Sequence, residues 1–351
     1  MTSLREALGK ARGRATGVAA LGAAAVLLLS ACSGGAGAAS SGAPAGSADG
    51  AFPVTITSAL GDTTIESKPE RIATWGWGAT DAVLALGIQP VALPADDYSG
   101  GDDKMPDWIA EAVDRVGGEA PTILDSSAEE IPLEALLKTN PDVLLAPYSG
   151  LTQKEFDAVS AAGIPVVAYP DAPWTTPWRD VITITGKALG LPTEADALLQ
   201  SLDARVADAA AAHPEFAGTT IAYVDDDVDT FYLYLPADAR VEILEDLGFV
   251  TPPSVTSLDT GEGTFYTTVS YENLDKIDAQ VVLTQAEDQA TLDGFLTSDR
   301  GKLIPAVAKS AVAAMVGAQN ASAVSPTALT LPWILPTLTD KLAAAVATAK
   351  G

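Results

Sequence analysis

The chain has 351 residues, 48 % of them hydrophobic, with 46 acidic side chains against 20 basic ones and a net charge of −26. That apolar content excludes an acidic disordered chain. The shortage of Lys and Arg excludes a nucleic-acid binder, because phosphate contacts need clustered cations. With one histidine and one cysteine, no disulfide within the chain is possible, and a zinc or manganese site lacks its usual ligands.

Arg5, Lys10, Arg12 and Arg14 precede an uncharged stretch from Ala15 to Leu29, which closes on Leu29-Ser30-Ala31-Cys32. A basic start, a short apolar run and small residues before the cut read as a signal peptide over 1–31. The run is shorter than the about 20 apolar residues a spanning helix needs. Its Leu-Ser-Ala-Cys ending resembles the lipobox of bacterial lipoproteins, which makes Cys32 the lipidation site and places the mature chain on the outer face of the cell membrane. From Ser33 to Gly50 the chain is Ser, Gly, Ala and one Pro, with Asp49 its only charge. Residues 32–51 are therefore expected to be a flexible tether, holding the folded body roughly 25 Å from the lipid.

An N-terminal α/β lobe is expected over 52–177. Arg71 to Trp75 reads as a strand, Thr80 to Leu86 as a short helix ended by Gly87, and Asp142 to Ala146 as a buried strand. Thr152 opens a helix with Glu155 three residues on, a capping box, and Gly163 closes it. Pro165 to Tyr169 is the next strand. Strands alternating with helices in this way predict a mainly parallel sheet.

Over 178–213 the pattern becomes helical throughout (Val181, Ile184, Leu189, Leu198, Leu202, Val206), interrupted only at Gly190 and Pro192. This is read as a long linker helix. A second α/β lobe, 214–351, resumes the alternation through Ile221 to Val224, Val241 to Leu247 and Val281 to Thr284. The lobes resemble each other: IPLEALLKTNPDVLL (131–145) and VSYENLDKIDAQVVL (269–283) align with Glu134 on Glu272 and Val143 on Val281. Each segment reads as a short helix, a turn and a strand.

Four segments carry a wider resemblance: PERIATWGWGATDAVLALGIQPVAL (69–93), NPDVLLAPYSGLTQKEFDAVSAAGIPVVAYP (140–170), SYENLDKIDAQVVL (270–283) and SPTALTLPWILPTL (325–338). In order and spacing the chain resembles the iron–siderophore substrate-binding proteins of ABC importers, over nearly its whole mature length. The resemblance implies two α/β lobes joined by a rigid linker helix, with the ligand in the cleft between them. It implies a monomer that takes up a ferric siderophore and hands it to an ABC permease dimer. It also implies one permease-docking glutamate on each lobe, at the matching positions Glu134 and Glu272.

Ligands of open α/β sheets collect at the carboxyl ends of the strands. Residues past those ends are the ligand-binding candidates: Trp75 and Trp77, Tyr148 (with Ser149), Trp174 and Trp178, then Tyr232 (with Phe231), Arg240, Gln285 and Trp333. Aromatic side chains offer flat apolar area to a bulky chelate. Trp77, between two glycines, has no periodic neighbour to pack against. Base is scarce in these loops (Arg240, Arg179, Lys104), whereas Asp96, Asp97, Asp102 and Asp103 crowd one lobe and Asp225, Asp226, Asp227 and Asp229 the other. An anionic catecholate calls for convergent arginines, so the expected ligand is a neutral or cationic ferric chelate such as a hydroxamate with a pendant amine.

Asp225, Asp227 and Asp229 have the first spacings of a calcium loop, but Thr230 and Pro236 stand where Gly and Glu are required. No metal site or resident cofactor is expected, and any iron arrives inside its chelate. His213, before Pro214, reads as a helix end. Gly-x-Ser-x-Gly, His-Glu-x-x-His and phosphate-loop motifs are absent, so catalysis has no support. Cobalamin or haem in the same fold is the alternative cargo, and a surface hydrolase or sensor domain the alternative class.

Overall fold

Strands covered on both faces lose polar alternation, and the centre of the N-terminal lobe is built from such runs. The computed structural model describes residues 52–351 apart from 129, 228, 229, 262 and 264. The signal peptide, Cys32 and the tether lie outside the described residues. A hairpin of β1 (Val54–Ser58) and β2 (Gly61–Ile65) leads into β3 (Ile72–Thr74), α1 (Ala79–Ala85), β4 (Ala92–Pro94), α2 (Asp107–Val116), β5 (Thr122–Leu124), α3 (Leu133–Lys138), β6 (Val143–Leu145), α4 (Gln153–Ala161) and β7 (Val166–Val167). Every residue of β3 and β6 is buried. The five strands after the hairpin form one parallel sheet in the order β5-β4-β3-β6-β7. The capping box of α4 is present as read, with Thr152 and Glu155 each serving the other's backbone N–H.

The expected single long helix is two helices, α5 (Trp178–Ala188) and α6 (Pro192–Ala212). Gly190 takes φ +67° just past the end of α5, and the Leu191 N–H returns to the Gly186 carbonyl at 2.8 Å, a left-handed stop of the kind glycine permits. Pro192 then occupies the start of α6, where its missing N–H costs nothing. His213 closes α6, its ring stacked on Phe216 at 4.7 Å and 3.0 Å from Glu215.

The second lobe runs β8 (Ile221–Asp227), β9 (Thr230–Tyr234), α7 (Ala239–Asp246), α8 (Pro253–Leu258), β10 (Tyr266–Thr268), β11 (Val281–Ala286), α9 (Gln289–Thr297), α10 (Pro305–Ala308), β12 (Val312–Val316), α11 (Ala318–Ala323) and α12 (Thr330–Lys350). Its sheet has the order β10-β9-β8-β11-β12. Here β9 is antiparallel to both neighbours and the other pairings are parallel.

Counted within its own lobe, each sheet has the strand order 3-2-1-4-5. The two segments that align in sequence hold equivalent places: Val143 and Val281 each begin the fourth strand. Glu134 and Glu272 are each the second residue of the short helix before it, α3 in one lobe and the 3-10 turn Tyr271–Lys276 in the other. The strand order reverses between the first and fourth strands, which opens a crevice beyond their carboxyl ends.

The largest apolar cluster does not respect the lobe boundary. It runs from Leu84, Leu93 and Trp108 through Trp178, Ile182 and Leu202 to Tyr223, Leu283 and Leu331. Two smaller clusters belong to one lobe each, and a third joins the first lobe to Ala188 and Leu189 at the end of α5. Among the described residues no helix is long and apolar enough to cross a membrane.

Candidate functional site

In the first lobe, the loops after β3 and β6 are tied together at the strand-order reversal. The Trp75 N–H reaches the Leu145 carbonyl at 2.9 Å and the Trp77 N–H reaches the Tyr148 carbonyl at 3.0 Å. Between them Gly76 has φ +80°, and a Cβ there would lie 2.3 Å from the Tyr148 carbonyl oxygen. Only glycine fits so close an approach. Tyr148 in turn meets Trp174 edge to face, with ring centroids 5.5 Å apart. Trp174 takes φ 59°, and its N–H bonds the Ser149 carbonyl at 3.2 Å. The Thr176 hydroxyl donates to the Pro147 carbonyl at 2.5 Å, bringing the chain to the start of α5, where Trp178 is buried.

The second lobe answers with a polar assembly. The carboxylate of Asp238 caps α7 by accepting the Arg240 N–H at 2.8 Å. It also takes both Nε (2.8 Å) and Nη2 (2.7 Å) of the same arginine. The guanidinium lies 3.9 Å from the ring centroid of Tyr234 and 5.3 Å from that of Tyr223, and its ion pair holds its pKa well above the usual arginine value despite burial. The Tyr223 hydroxyl donates to Gln285 Oε1 at 2.6 Å, and Gln285 Nε2 donates to Asp225 at 2.7 Å. Burial raises the pKa of Asp225, against the lowering effect of that amide. Burial also raises the Tyr148 phenol.

Two adjoining cavities lie in the crevice. The first, about 370 Å³, is lined by Trp77, Tyr148 and Trp174 from one lobe, by Trp178 from α5, and by Arg240 and Gln285 from the other lobe. The indole N–H groups of Trp77 and Trp178 are buried with no protein acceptor, unlike most buried donors. The second cavity, about 710 Å³, shares Trp77, Tyr98 and Trp174 with the first and extends over Trp75, Asp81 and Trp108.

Six of the nine sequence candidates therefore converge on the first cavity. Trp75 borders the second while being only 6 % exposed and part of the core. Tyr232 and Trp333 line neither cavity, which corrects the expectation for both. Tyr232 does not follow a strand. It sits inside β9, which pairs antiparallel with Asp225 to Asp227 of β8, and its ring meets Tyr266 at 5.5 Å. Phe231 beside it is buried core. Trp333 packs against Trp108 at 5.4 Å.

Sequence reasoning missed Tyr98, Thr176, Asp238, Phe265 and Asp81 as lining residues. Tyr98 had a visible signal, an aromatic directly after the Asp96-Asp97 pair. Asp238, two residues before the chosen Arg240, also had one. The others are placed by contacts distant in sequence.

Residues 72–316 match the family model described as periplasmic binding protein. The chain belongs to the periplasmic binding protein family. PiaA of Streptococcus pneumoniae TIGR4, solved in complex with ferrichrome, is 32 % identical with a TM-score of 0.76, covering 84 % of this chain and 99 % of its own. A second structure of PiaA, described as an iron uptake ABC transporter substrate-binding protein, gives 32 % identity, a TM-score of 0.74 and coverage of 84 % and 100 %. Staphylococcus aureus SirA complexed with staphyloferrin B shares the fold at 22 % identity and a TM-score of 0.63, covering 82 % and 98 %. No curated protein matches the chain in sequence. As a periplasmic binding protein the chain is an extracytoplasmic receptor and not an enzyme, in keeping with a crevice of aromatic and hydrogen-bonding groups.

Proposed function

We propose that this chain captures a ferric siderophore of the hydroxamate type in the crevice between its lobes and delivers it to an ABC permease. The carrying observation is the charge state of the first cavity. Of the described residues that line it, only Arg240 is basic, and that guanidinium is spent on Asp238 through two hydrogen bonds. The site thus offers aromatic faces and neutral donors with no net positive charge. Iron(III) with three singly anionic hydroxamates is a neutral complex and suits such walls. A ferric tris-catecholate carries three negative charges and requires cations the cavity lacks. The likeness to PiaA, solved with ferrichrome, supports siderophore over cobalamin or haem.

In this reading Trp77, Tyr148, Trp174 and Trp178 enclose the chelate, Gln285 and the guanidinium N–H groups of Arg240 not taken by Asp238 supply hydrogen bonds to its oxygens, and Trp75 stays in the core of its own lobe. The iron is cargo, coordinated by its own chelator, and the protein keeps no resident cofactor. Glu134 and Glu272 are exposed and provide two carboxylates for paired arginines on a permease dimer, setting register more than affinity. Cys32 anchors the monomer to the outer face of the membrane.

The test is a tryptophan-fluorescence titration against ferric trihydroxamates, a ferric catecholate, ferric citrate, cobalamin and haem. Saturable quenching by a ferric trihydroxamate, weakened in Trp77→Ala, is the expected result. A preference for the catecholate overturns the charge argument, and a response only to cobalamin or haem overturns the siderophore reading.

A further inference from the structure

The second cavity differs in chemistry from the first, and nothing in the reading above uses it. Two of its carboxylates face no cation. The Asp81 carboxylate is buried and accepts the Thr327 hydroxyl at 2.5 Å. The Asp96 carboxylate is held by the backbone N–H groups of Tyr98 (3.0 Å) and Ser99 (2.7 Å) and by the Ser99 hydroxyl (2.5 Å). These donors are all neutral. The cavity's lysine, Lys104, is already paired with a third acid, Asp97, at 2.8 Å. Asp81 and Asp96 both border this one cavity.

The walls are the complementary half of the same chemistry. Trp75, Trp77, Trp108 and Tyr98 border the cavity, and aromatic faces attract cations, ammonium groups included. Among the described residues, the cation–π contacts of this protein fall on Trp178, Tyr223, Tyr234 and Tyr271. None of those four borders the second cavity, so no cation of the protein occupies its faces. At about 710 Å³ it lies within the range of small-molecule pockets. Trp77, Tyr98 and Trp174 line both cavities, which therefore lie side by side.

We infer that the second cavity is a subsite for a positively charged alkylammonium arm of the same ligand whose chelate fills the first. The inference rests on the siderophore reading and adds to it a preference for chelates with a free terminal amine. An ammonium placed between Asp81 and Asp96 satisfies both carboxylates at once, and the tryptophans bury its methylene stem. An arm that is neutral or anionic gains neither contact.

Three probes test this by calorimetric titration of the protein: a linear ferric trihydroxamate with a terminal primary amine (ferrioxamine B), the same chelate acetylated on that nitrogen, and ferrichrome, which has no amine. The amine form is expected to bind roughly tenfold or more tightly than its acetylated twin. That ratio is expected to collapse toward one in Asp81→Asn and to shrink in Asp96→Asn. Should either variant fail to fold, the comparison of amine and acetyl forms on the unmodified protein still decides. Equal affinities for the two linear chelates remove the subsite and leave the siderophore reading standing. Failure of all three probes to bind removes both.

Discussion

The carboxylate of Asp81, in the first helix of the N-terminal lobe, takes its 2.5 Å hydrogen bond from Thr327, 246 residues further along the chain. The Thr327 hydroxyl also accepts the N–H groups of Leu329 (3.2 Å) and Thr330 (2.9 Å), so its single proton is free to point at Asp81. One hydroxyl thereby accepts the first N–H of α12 and joins α1 to the start of the last helix.

That bond lies in apolar surroundings, and the acid registers the fact. Burial raises the Asp81 pKa from 3.8 to about 6, with the Thr327 hydrogen bond pulling the other way. Below pH 3.8 the group is neutral in folded and unfolded chains alike and exacts no penalty. Between those values the folded chain alone keeps the proton, so stability falls as pH rises, and above about 6 the full penalty applies. Asp81→Asn retains an oxygen for Thr327 and removes the charge. It is expected to stabilise the protein by at most about 3 kcal/mol at pH 7.5 and by little at pH 4, as read by urea denaturation at the two pH values.

Gly76→Ala is the sharpest probe of the loop pair at the crevice. The added methyl meets the Tyr148 carbonyl at 2.3 Å and the residue must hold φ +80°. The strain is of order 1–3 kcal/mol, enough to shift Trp77 and Tyr148. Ligand affinity should fall at least tenfold while far-UV circular dichroism stays unchanged; a variant that binds normally contradicts the placement of this loop in the site.

Charge reversal at Glu134 and Glu272 separates delivery from capture. Each is exposed, and Glu134 pairs with Lys138, one turn on at 2.8 Å. The double variant Glu134→Lys/Glu272→Lys is expected to bind ligand like the parent and to lose uptake in cells or vesicles holding the cognate permease. Unchanged uptake assigns docking to other residues.

The apolar cluster that crosses between the lobes, together with the Asp81–Thr327 bond, opposes a wide hinge motion. Arg179 adds to this, reaching Asp203 on α6 at 2.9 Å and Asp246 on α7 at 2.8 Å, with Glu242 in the same grip. Small-angle scattering should give the same radius of gyration with and without ligand. A clear contraction on binding means that the lobes close over the ligand.

How much of this was written plainly in the sequence depends on range. The equivalence of Glu134 with Glu272 was legible because a helix, a turn and an apolar strand repeat within fifteen residues. The α4 capping box was legible for the same reason. The β8–β9 pairing was not, because the run from Asp225 to Asp227 looks like loop, and antiparallel pairing with β9 overrides that composition. The break at Gly190 is visible in the residues, but a lone glycine does not by itself separate a helix stop from an interruption within one helix. Asp81 carries no local sign of its role, since its partner, its burial and its cavity are all supplied by chain far away.

Finally, the reversed strand β9 has a consequence for how cargo and transporter meet this molecule. The two lobes repeat one strand order, so features carried ahead of their fourth strands are presented as a matched pair, suited to a partner built from two like halves. On the crevice side the repeat fails: one lobe offers indoles and backbone carbonyls, the other an arginine–aspartate–glutamine assembly behind a hairpin. A ligand in the crevice therefore meets two unlike jaws, whereas the short helices that carry Glu134 and Glu272 are alike in the two lobes.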